Sequence, residues 1–265
     1  MQKYFESDSM HKPYKPGACF AARTLVHTKE GLVPIEQIKV GDWVLSKPEN
    51  GGEQAYKRVV RKIQRESETV MKVLYALPDL TTLYKLIVTP NHPFWIDGQG
   101  WTAGANLNET WAETKSVRFE LANGGVAYLH GPFPIYVTGE QGVGWTPYHH
   151  GDEVRRKGSV WDYINHRLVA NGVPAIPQVR EGELDDPFLQ LAVYNLEVED
   201  FHTYYVGEAG VWVHNHDAPT PTSPSTPQPV SGDRRGRRPP SPPSGSGSPA
   251  AAPTHPRASP RPARR

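Results

Sequence analysis

The sequence contains little of the material from which disulfide frameworks, zinc sites and membrane spans are built. Cys19 is the only cysteine among 265 residues, which excludes an intrachain disulfide and a cysteine-rich zinc site. No apolar run approaches the roughly 18 residues that a membrane-spanning helix requires. The single thiol can therefore serve in covalent chemistry instead.

Residues 1–18 also lack the apolar segment of a Sec-type signal peptide. They contain no apolar run of even seven residues and carry five charged side chains, namely Lys3, Glu6, Asp8, Lys12 and Lys15. We predict a short flexible N-terminal flank. The chain is expected to be soluble and cytoplasmic as synthesised, and secreted if it is a piece of a larger exported protein.

Lysine is absent from residues 216–265, which hold 14 of the 27 prolines and eight arginines. Asp217 and Asp233 are the only acids there, so this segment carries +6, and the rest of the chain must carry −5 to give the total of +1. Such a segment cannot bury enough apolar surface to offset the entropy of ordering. We predict a disordered Pro/Ser/Arg-rich tail. Its arginines could contact nucleic acid, but without interleaved aromatic residues simple solvation is favoured.

Short β-branched and aromatic runs, separated by turn residues, dominate the two ends of the remaining chain. They predict strands at residues 24–26, 43–45, 56–63, 69–75, 83–88, 191–198, 203–206 and 211–213. Residues 33–38, followed by Gly41, predict one short helical turn. Tight turns are predicted at Asn50-Gly51-Gly52 and at Asp97-Gly98. Many short strands predict a mainly all-β, curled-sheet fold with short helices.

The middle of the chain, from about residue 107 to residue 188, has a looser pattern and is predicted to be an elaborated insertion. Within residues 159–170, Trp161, Ile164 and Leu168 recur at helical spacing and predict a helix. His149-His150, near Asp152 and Glu153, could bind a metal ion, but a polar loop is favoured because no known ligand spacing is present. We therefore predict no metal and no cofactor.

Three patches each end a strand-like run with a group capable of acyl chemistry. They are Cys19, the run Thr89-Pro90-Asn91-His92, and His214-Asn215. Each is unremarkable alone, because a cysteine is often a small core residue, a histidine beside proline is often in a turn, and an asparagine often caps a strand.

Together these patches resemble the Hedgehog/intein (Hint) family, and most closely the intein-like Hint domains of bacterial polymorphic toxins. The resemblance rests on three blocks in family order. They are Cys19-Phe20-Ala21-Ala22-Arg23-Thr24-Leu25-Val26 with Gly41-Asp42-Trp43-Val44-Leu45-Ser46; Thr89-Pro90-Asn91-His92-Pro93-Phe94-Trp95 with Gly100-Trp101; and Val193-Tyr194-Asn195-Leu196-Glu197-Val198-Glu199-Asp200-Phe201-His202-Thr203-Tyr204-Tyr205-Val206-Gly207 with Gly210-Val211-Trp212-Val213-His214-Asn215. The implied autoprocessing domain spans residues 19–215.

The resemblance implies a first reaction at the N-terminal end of this domain. Cys19 would attack the carbonyl of Ala18 and convert that peptide bond into a thioester. His92 would exchange protons with the departing nitrogen, since histidine titrates near neutrality. Thr89 would hold the scissile peptide by hydrogen bonding.

A second reaction is implied at the other end. The side-chain nitrogen of Asn215 would attack its own main-chain carbonyl, close a succinimide and release whatever follows. An amide nitrogen is a poor nucleophile, so this step needs a proton acceptor and a polarised carbonyl. The resemblance assigns these tasks to His202 and His214.

Two positions depart from the pattern of splicing inteins. His216 stands where splicing requires Cys, Ser or Thr, which leaves cleavage after Asn215 as the expected activity. Asn195 stands where many splicing inteins carry an aspartate that coordinates the two ends, and this change puts the coupling of the two reactions in doubt.

The expected activity is a single-turnover self-cleavage rather than the turnover of a separate substrate. The partner is therefore the chain's own flanking polypeptide, with no small-molecule substrate and no membrane, and a monomer is expected. One alternative is an inert Hint-fold scaffold or interaction module. Another is a cysteine hydrolase that acts in trans through Cys19 and His92, but no orienting third residue can be assigned to it.

Overall fold

A computed structural model describes residues 17–114, 116–148, 157–175 and 187–215. Most of the predicted N-terminal flank, the predicted tail and the His149-His150 pair lie outside these described residues. No helix in the described part is long and apolar enough to cross a membrane.

Strands make up most of the described chain, which agrees with the predicted all-β class. In chain order they are β1 (Phe20–Ala21), β2 (Leu25–Thr28), β3 (Gly31–Pro34), β4 (Trp43–Ser46), β5 (Ala55–Thr69), β6 (Met71–Ala76), β7 (Leu83–Val88), β8 (Pro93–Ile96), β9 (Gly100–Ala103), β10 (Arg118–Glu120), β11 (Val126–Pro134), β12 (Tyr136–Val137), β13 (Val143–Pro147), β14 (Lys157–Asp162), β15 (Arg167–Pro174), β16 (Gln190–Val198), β17 (Thr203–Val206) and β18 (Val211–His214).

Fourteen of these strands form one sheet that curls back on itself. Its order is β10-β11-β6-β7-β1-β16-β5-β4-β2-β17-β18-β8-β9, with β3 added beside β2. Strand β10 also pairs with β8 through Phe119 and Ile96, so the series of pairings returns to its beginning. This closure confirms the predicted curled sheet, and it brings strands from opposite ends of the chain together.

The curled sheet encloses an apolar core. Large side chains with essentially no exposure include Phe20, Phe94, Phe119 and Tyr204. In β4 the burial alternates along the strand, as expected where successive side chains point to opposite faces. Burying each large apolar side chain contributes about 1.5–3 kcal/mol, so this core is the main reason that the ends of the chain are held in place.

The two-residue strand β1 lies between β7 and β16. Phe20 is in register with Val88 on one side and with Tyr194 on the other. Strand β16 also pairs with the long strand β5 over most of its length. Residue 19 is therefore anchored in the middle of the sheet rather than at a loose end.

The remaining strands form a second, four-stranded sheet in the order β12-β13-β14-β15. It packs on the outer face of the first sheet, where Ile135, Tyr163 and Leu189 share an apolar cluster with Cys19 and Ile87. This second sheet belongs to the region predicted as an insertion, and it covers the surface next to Cys19.

The predicted helix at residues 159–170 is wrong, because this segment is the β14–β15 hairpin. Trp161 pairs with Leu168 across the strands, and Ile164 lies exposed in the turn between them. Asp162 stabilises the turn by accepting hydrogen bonds from the main chain and the side chain of Asn165. Three apolar residues at helical spacing cannot exclude a hairpin, because residues seven apart can also meet across a short turn.

The other local predictions agree with the structure more closely. A single 3-10 turn, Ile35–Gln37, occurs within residues 33–38, and both Gly51 and Gly98 adopt the positive φ that a tight turn favours. The one α-helix of the described residues, Leu107–Thr114, was not predicted. It has only one fully buried residue, Leu107, so its sequence carries a weak helical pattern.

Candidate functional site

Cys19 lies at the start of β1 and is almost completely buried, with 1% exposure. Its main-chain carbonyl accepts a hydrogen bond of 3.0 Å from the N–H of Thr89. The preceding residue, Ala18, is buried as well. The peptide bond between Ala18 and Cys19 is therefore held inside the protein.

The hydroxyl of Thr89 contacts the main chain on both sides of Ala18. It accepts a 2.9 Å hydrogen bond from the N–H of Cys19, and it donates one of 3.0 Å to the carbonyl of Gly17. Thr89 directly follows β7, whose pairing with β1 places it there. One hydroxyl thus fixes the Ala18–Cys19 peptide and touches its nitrogen.

Asn215 is the first residue after β18. Its N–H donates a 2.9 Å hydrogen bond to the carbonyl of His202, which continues the pairing of Thr203 with His214. Asn215 is 4% exposed, and neither its side-chain nitrogen nor its side-chain oxygen hydrogen-bonds with any atom of the described chain. Leaving the polar atoms of a buried amide without hydrogen bonds costs about 1–3 kcal/mol. A buried group of this kind calls for an explanation, such as a role in a functional site.

Asn195 in β16 connects the two ends of the domain. Its side-chain Nδ2 donates one hydrogen bond to the carbonyl of Ala18 and a second, of 2.7 Å, to the carbonyl of Asn215. These are the carbonyls of the two peptide bonds that the sequence predicts to be broken. Both protons of a single buried amide nitrogen are therefore directed at these two carbonyls.

Two contacts determine which way the Asn195 amide faces. Its Oδ1 accepts a 2.6 Å hydrogen bond from the hydroxyl of Tyr204 and one of 2.8 Å from the N–H of Leu196. Because both partners are donors, the oxygen must face them and the nitrogen must face the carbonyls. Tyr204 is fully buried, and burial together with the nearby thiol of Cys19 raises its pKa far above the usual value, so its hydroxyl keeps its proton.

His92 lies completely buried between the two ends. Its ring centre is 4.0 Å from that of Phe20 and 5.7 Å from that of Phe94. Burial, and to a lesser extent the charge of His214, hold the pKa of His92 well below its ordinary value of 6.5. His92 is therefore neutral at pH 7, and neither ring nitrogen hydrogen-bonds with the described protein atoms.

His214 precedes Asn215 and pairs with a residue that the sequence did not point to. Its Nε2 lies 2.8 Å from Oε2 of Glu49, a side chain that is 45% exposed. The imidazole also packs edge-on against Trp101, with ring centres 5.0 Å apart. The Glu49 carboxylate and the Trp101 ring thus hold the imidazole of His214 in place at the end of β18, one residue before the C-terminal peptide bond.

His202 has a φ of +56°, a left-handed conformation that is uncommon for a residue other than glycine. Its N–H contacts the carbonyl of Val198, and its own carbonyl accepts the N–H of Asn215. The main chain of His202 thus turns directly beneath the last residue of the domain.

The structure brings all six predicted site residues into one region: Cys19, Thr89, His92, His202, His214 and Asn215. Sequence reasoning missed three others, Asn195, Tyr204 and Glu49. At Asn195 the sequence indicates only that an aspartate is replaced. The position of the side chain shows that its amide contacts both ends of the domain. No signal in the sequence links Glu49 to His214, since 165 residues separate them.

No cluster of three or more His, Cys, Asp or Glu side chains with metal-binding geometry occurs in residues 17–114, 116–148, 157–175 and 187–215. His149-His150 lies outside these residues.

The solved structures that the chain is similar to include inteins and an intein-like domain. A bacterial intein-like domain from Clostridium thermocellum is 23% identical, with a TM-score of 0.44 over 74% of this chain and 98% of its own. The gp41-1 intein is 15% identical, with a TM-score of 0.41 over 75% of this chain and 99% of its own. A DnaB intein from Synechocystis sp. PCC 6803 is 11% identical, with a TM-score of 0.42 over 75% and 98%.

No curated protein matches the chain. The sequence profile of the pretoxin HINT domain matches residues 25–114 and 167–216, which together make up just over half of the 265 residues. The unmatched interval between the two contains β10 to β14, and so three of the four strands of the second sheet. The matched parts carry Thr89, His92, Asn195 and the closing His214-Asn215. With this match beside its closed, curled sheet, the chain belongs to the pretoxin HINT domain family.

Proposed function

We propose that this protein is an autoprocessing domain that cleaves its own backbone, chiefly after Asn215. One observation carries the proposal: the side-chain nitrogen of Asn195 donates to the carbonyls of both Ala18 and Asn215. A preorganised donor on a carbonyl stabilises the negative charge that develops there during nucleophilic attack. Two such carbonyls sharing one donor fit a domain that acts on both of its own ends.

The main reaction breaks the peptide bond between residues 215 and 216. Nδ2 of Asn215 attacks the main-chain carbon of the same residue, and the bond from that carbon to the nitrogen of His216 breaks. One proton leaves Nδ2 and one proton is gained by the departing amine, so the products are a C-terminal succinimide and a new N-terminus. The Asn215 amide suits this role, because no hydrogen bond within the described chain holds its nitrogen away from the carbonyl.

His202 and His214 are proposed to move these protons. His214 is held by Glu49 and can supply the proton that the departing amine needs. The main chain of His202 is hydrogen-bonded to Asn215, and its imidazole is proposed as the proton acceptor for the same bond. His202 would therefore accept the proton of the attacking nitrogen, and His214 would supply the proton that the departing amine gains.

The second, slower reaction is proposed at Cys19. Its sulfur attacks the carbon of Ala18, the bond to the nitrogen of Cys19 breaks, and the thiol proton ends on the new amine, leaving a thioester. The Thr89 hydroxyl already contacts the nitrogen of Cys19. The neutral imidazole of His92 packs against the ring of Phe20, the residue that follows Cys19. Water or an added thiol would then release residues 1–18.

Cleavage rather than splicing is proposed, because His216 offers no hydroxyl or thiol to accept the acyl group. The substrate and partner are thus the flanking polypeptide, and each molecule reacts once. In the setting of a pretoxin domain, such a reaction would separate the domain from whatever polypeptide follows it.

The proposal is tested by intact-mass spectrometry of the full chain during expression and during incubation at pH 7. The wild type should lose the mass of residues 216–265 and acquire the succinimide, or its hydrolysis product, at Asn215. The variant Asn215→Ala should stay intact, whereas Asn106→Ala, a matched change at an exposed asparagine, should cleave as the wild type does.

A wild-type chain that remains intact through long incubation, while circular dichroism shows it folded, would establish the inert scaffold instead. Adding dithiothreitol tests the other end. It should release residues 1–18 from the wild type but not from Cys19→Ala, and release from both would refute the thioester.

A further inference from the structure

A cavity of about 530 Å³ lies between the two sheets, away from the six proposed site residues. Strands β6 and β7 form one wall, and β14 with the turn after it forms another. The residues that line it include Arg23, Lys72, Lys85, Trp161 and Tyr163. Neither the autoprocessing chemistry nor the family match accounts for this cavity.

Two lysines of the first sheet project into it from the same face. Lys72 is in register with Ile87, and Lys85 with Leu74, so the two lysines are diagonal neighbours on adjacent strands. Lys72 is only 7% exposed, although lysine is almost never buried without a partner. Burial and the nearby Lys85 lower the pKa of Lys72 to about 8, so it is still largely protonated at pH 7.

Aromatic faces, not carboxylates, contact these two ammonium groups. Nζ of Lys85 lies 3.5 Å from the ring centre of Trp161, and Nζ of Lys72 lies 5.1 Å from that of Phe133. In the part of the chain that the structure describes, neither lysine forms a salt bridge. One acid, Glu208, also lines the cavity, and Arg23 lies at its edge. Positive charge is therefore in excess.

A buried hydroxyl supplies an independent observation. Tyr163 lines the cavity and is 7% exposed, yet its hydroxyl hydrogen-bonds with no atom of the described residues. Burial raises its pKa far above the usual value, so the hydroxyl carries its proton and remains a donor. Buried polar groups nearly always have a partner, so a donor buried in this way at the wall of the cavity needs an explanation.

We propose that the cavity binds a small oxyanion, a phosphate or carboxylate group, held by the ammonium groups of Lys72 and Lys85 and by the hydroxyl of Tyr163. An oxyanion would supply a negatively charged partner for the two lysines and a hydrogen-bond acceptor for the hydroxyl of Tyr163. The cavity is large enough for such a group together with the remainder of a small metabolite.

The test is isothermal titration calorimetry on the full chain carrying Asn215→Ala, which keeps the sample uniform. Inorganic phosphate and malonate are the two probes, and sodium chloride holds the ionic strength constant. We expect saturable binding of at least one probe, and the tighter of the two identifies the ligand class. Lys72→Met should weaken binding at least about tenfold, because it removes one of the charge-assisted hydrogen bonds to the anion.

Lys39→Met, at an exposed lysine, is the matched control and should bind as the parent does. Tyr163→Phe keeps the ring and removes only the hydroxyl, so it should weaken binding severalfold even if Lys72→Met fails to fold. Thermal unfolding gives a second readout, because the probe should raise the Tm of the parent and not that of Lys72→Met. No saturable binding of either probe, or equal affinity in the parent, Lys72→Met and Tyr163→Phe, would overturn the proposal.

Discussion

The hydroxyl of Tyr204 donates a 2.6 Å hydrogen bond to the side-chain oxygen of Asn195. Both side chains are buried, and the other end of the Asn195 amide contacts the carbonyls of Ala18 and Asn215. We propose that Tyr204 is a positioning residue, because its hydroxyl, together with the N–H of Leu196, holds the amide oxygen and so directs the amide nitrogen at the two carbonyls.

Tyr204→Phe should slow cleavage after Asn215 about tenfold, the rate equivalent of one hydrogen bond of about 1–1.5 kcal/mol. The rate is measured from intact masses over time, with Tyr84→Phe as the control for loss of the hydroxyl of a half-buried tyrosine that packs against the core. In an Asn195→Ala background the same change should have little further effect, since the group that it positions is gone. Additive effects in this double-mutant cycle would show that Tyr204 acts on folding alone.

Asn195→Ala should slow both reactions together. Removing a preorganised donor from a developing oxyanion typically costs about 10²–10³ in rate, and this one donor serves both carbonyls. The measurements are the release of residues 216–265 and the thiol-dependent release of residues 1–18 in the same sample. If only one of the two rates fell, the shared role of the amide would be contradicted.

Thr89→Val should separate the two reactions. The change keeps the shape of the side chain but removes the hydroxyl that contacts the nitrogen of Cys19, so thiol-dependent release of residues 1–18 should fall at least about tenfold. Cleavage after Asn215 should continue at close to the wild-type rate. Thr24→Val, which removes another buried threonine hydroxyl, serves as the control, and its N-terminal release should stay normal.

The stability of the protein should fall as the pH drops below about 6.5, the ordinary pKa of histidine. The pKa of His92 is depressed in the native state, so below about pH 6.5 the unfolded chain takes up a proton that the folded chain does not, and the free energy of unfolding decreases as the pH falls. The slope from one such group is at most about 1.4 kcal/mol per pH unit. His27 and His166, whose pKa values are also lowered, add to it.

Urea unfolding between pH 5 and pH 7.5 measures this slope. Asn215→Ala is the reference, and adding His92→Leu should reduce the slope by up to the contribution of one histidine. An unchanged slope would mean that His92 takes up its proton in the folded protein.

Lys72 should give a dependence of the same sign at alkaline pH. Its pKa is lowered to about 8, so between pH 8 and pH 10 the folded chain holds fewer protons than the unfolded chain, and stability should rise with pH. Urea unfolding in a buffer free of phosphate and carboxylate measures this rise. Lys72→Met should remove most of it, whereas Lys39→Met should leave it unchanged. If the free energy of unfolding of the parent did not change over this pH range, burial would not disfavour the charged form of Lys72.

Local sequence signals were sufficient for much of the fold. The strands around β4, β7, β16 and β17 follow from β-branched and aromatic runs between turn residues. The hairpin at β14–β15 could not be predicted in this way, because Trp161 and Leu168 are equally consistent with one face of a helix and with a cross-strand pair. Pairing across strands is decided by long-range contacts, which spacing within a segment does not report.

The sequence by itself determined which groups of this protein can react, because a single thiol and a closing His-Asn pair stand at the two ends of the folded segment. Only the tertiary structure decided that one amide, Asn195, contacts both ends, that Glu49 holds His214, and that Lys72 is buried against the second sheet. The reason is physical. Side-chain chemistry is fixed by residue type, whereas hydrogen bonds between residues 20 to 177 positions apart exist only after the sheet has closed.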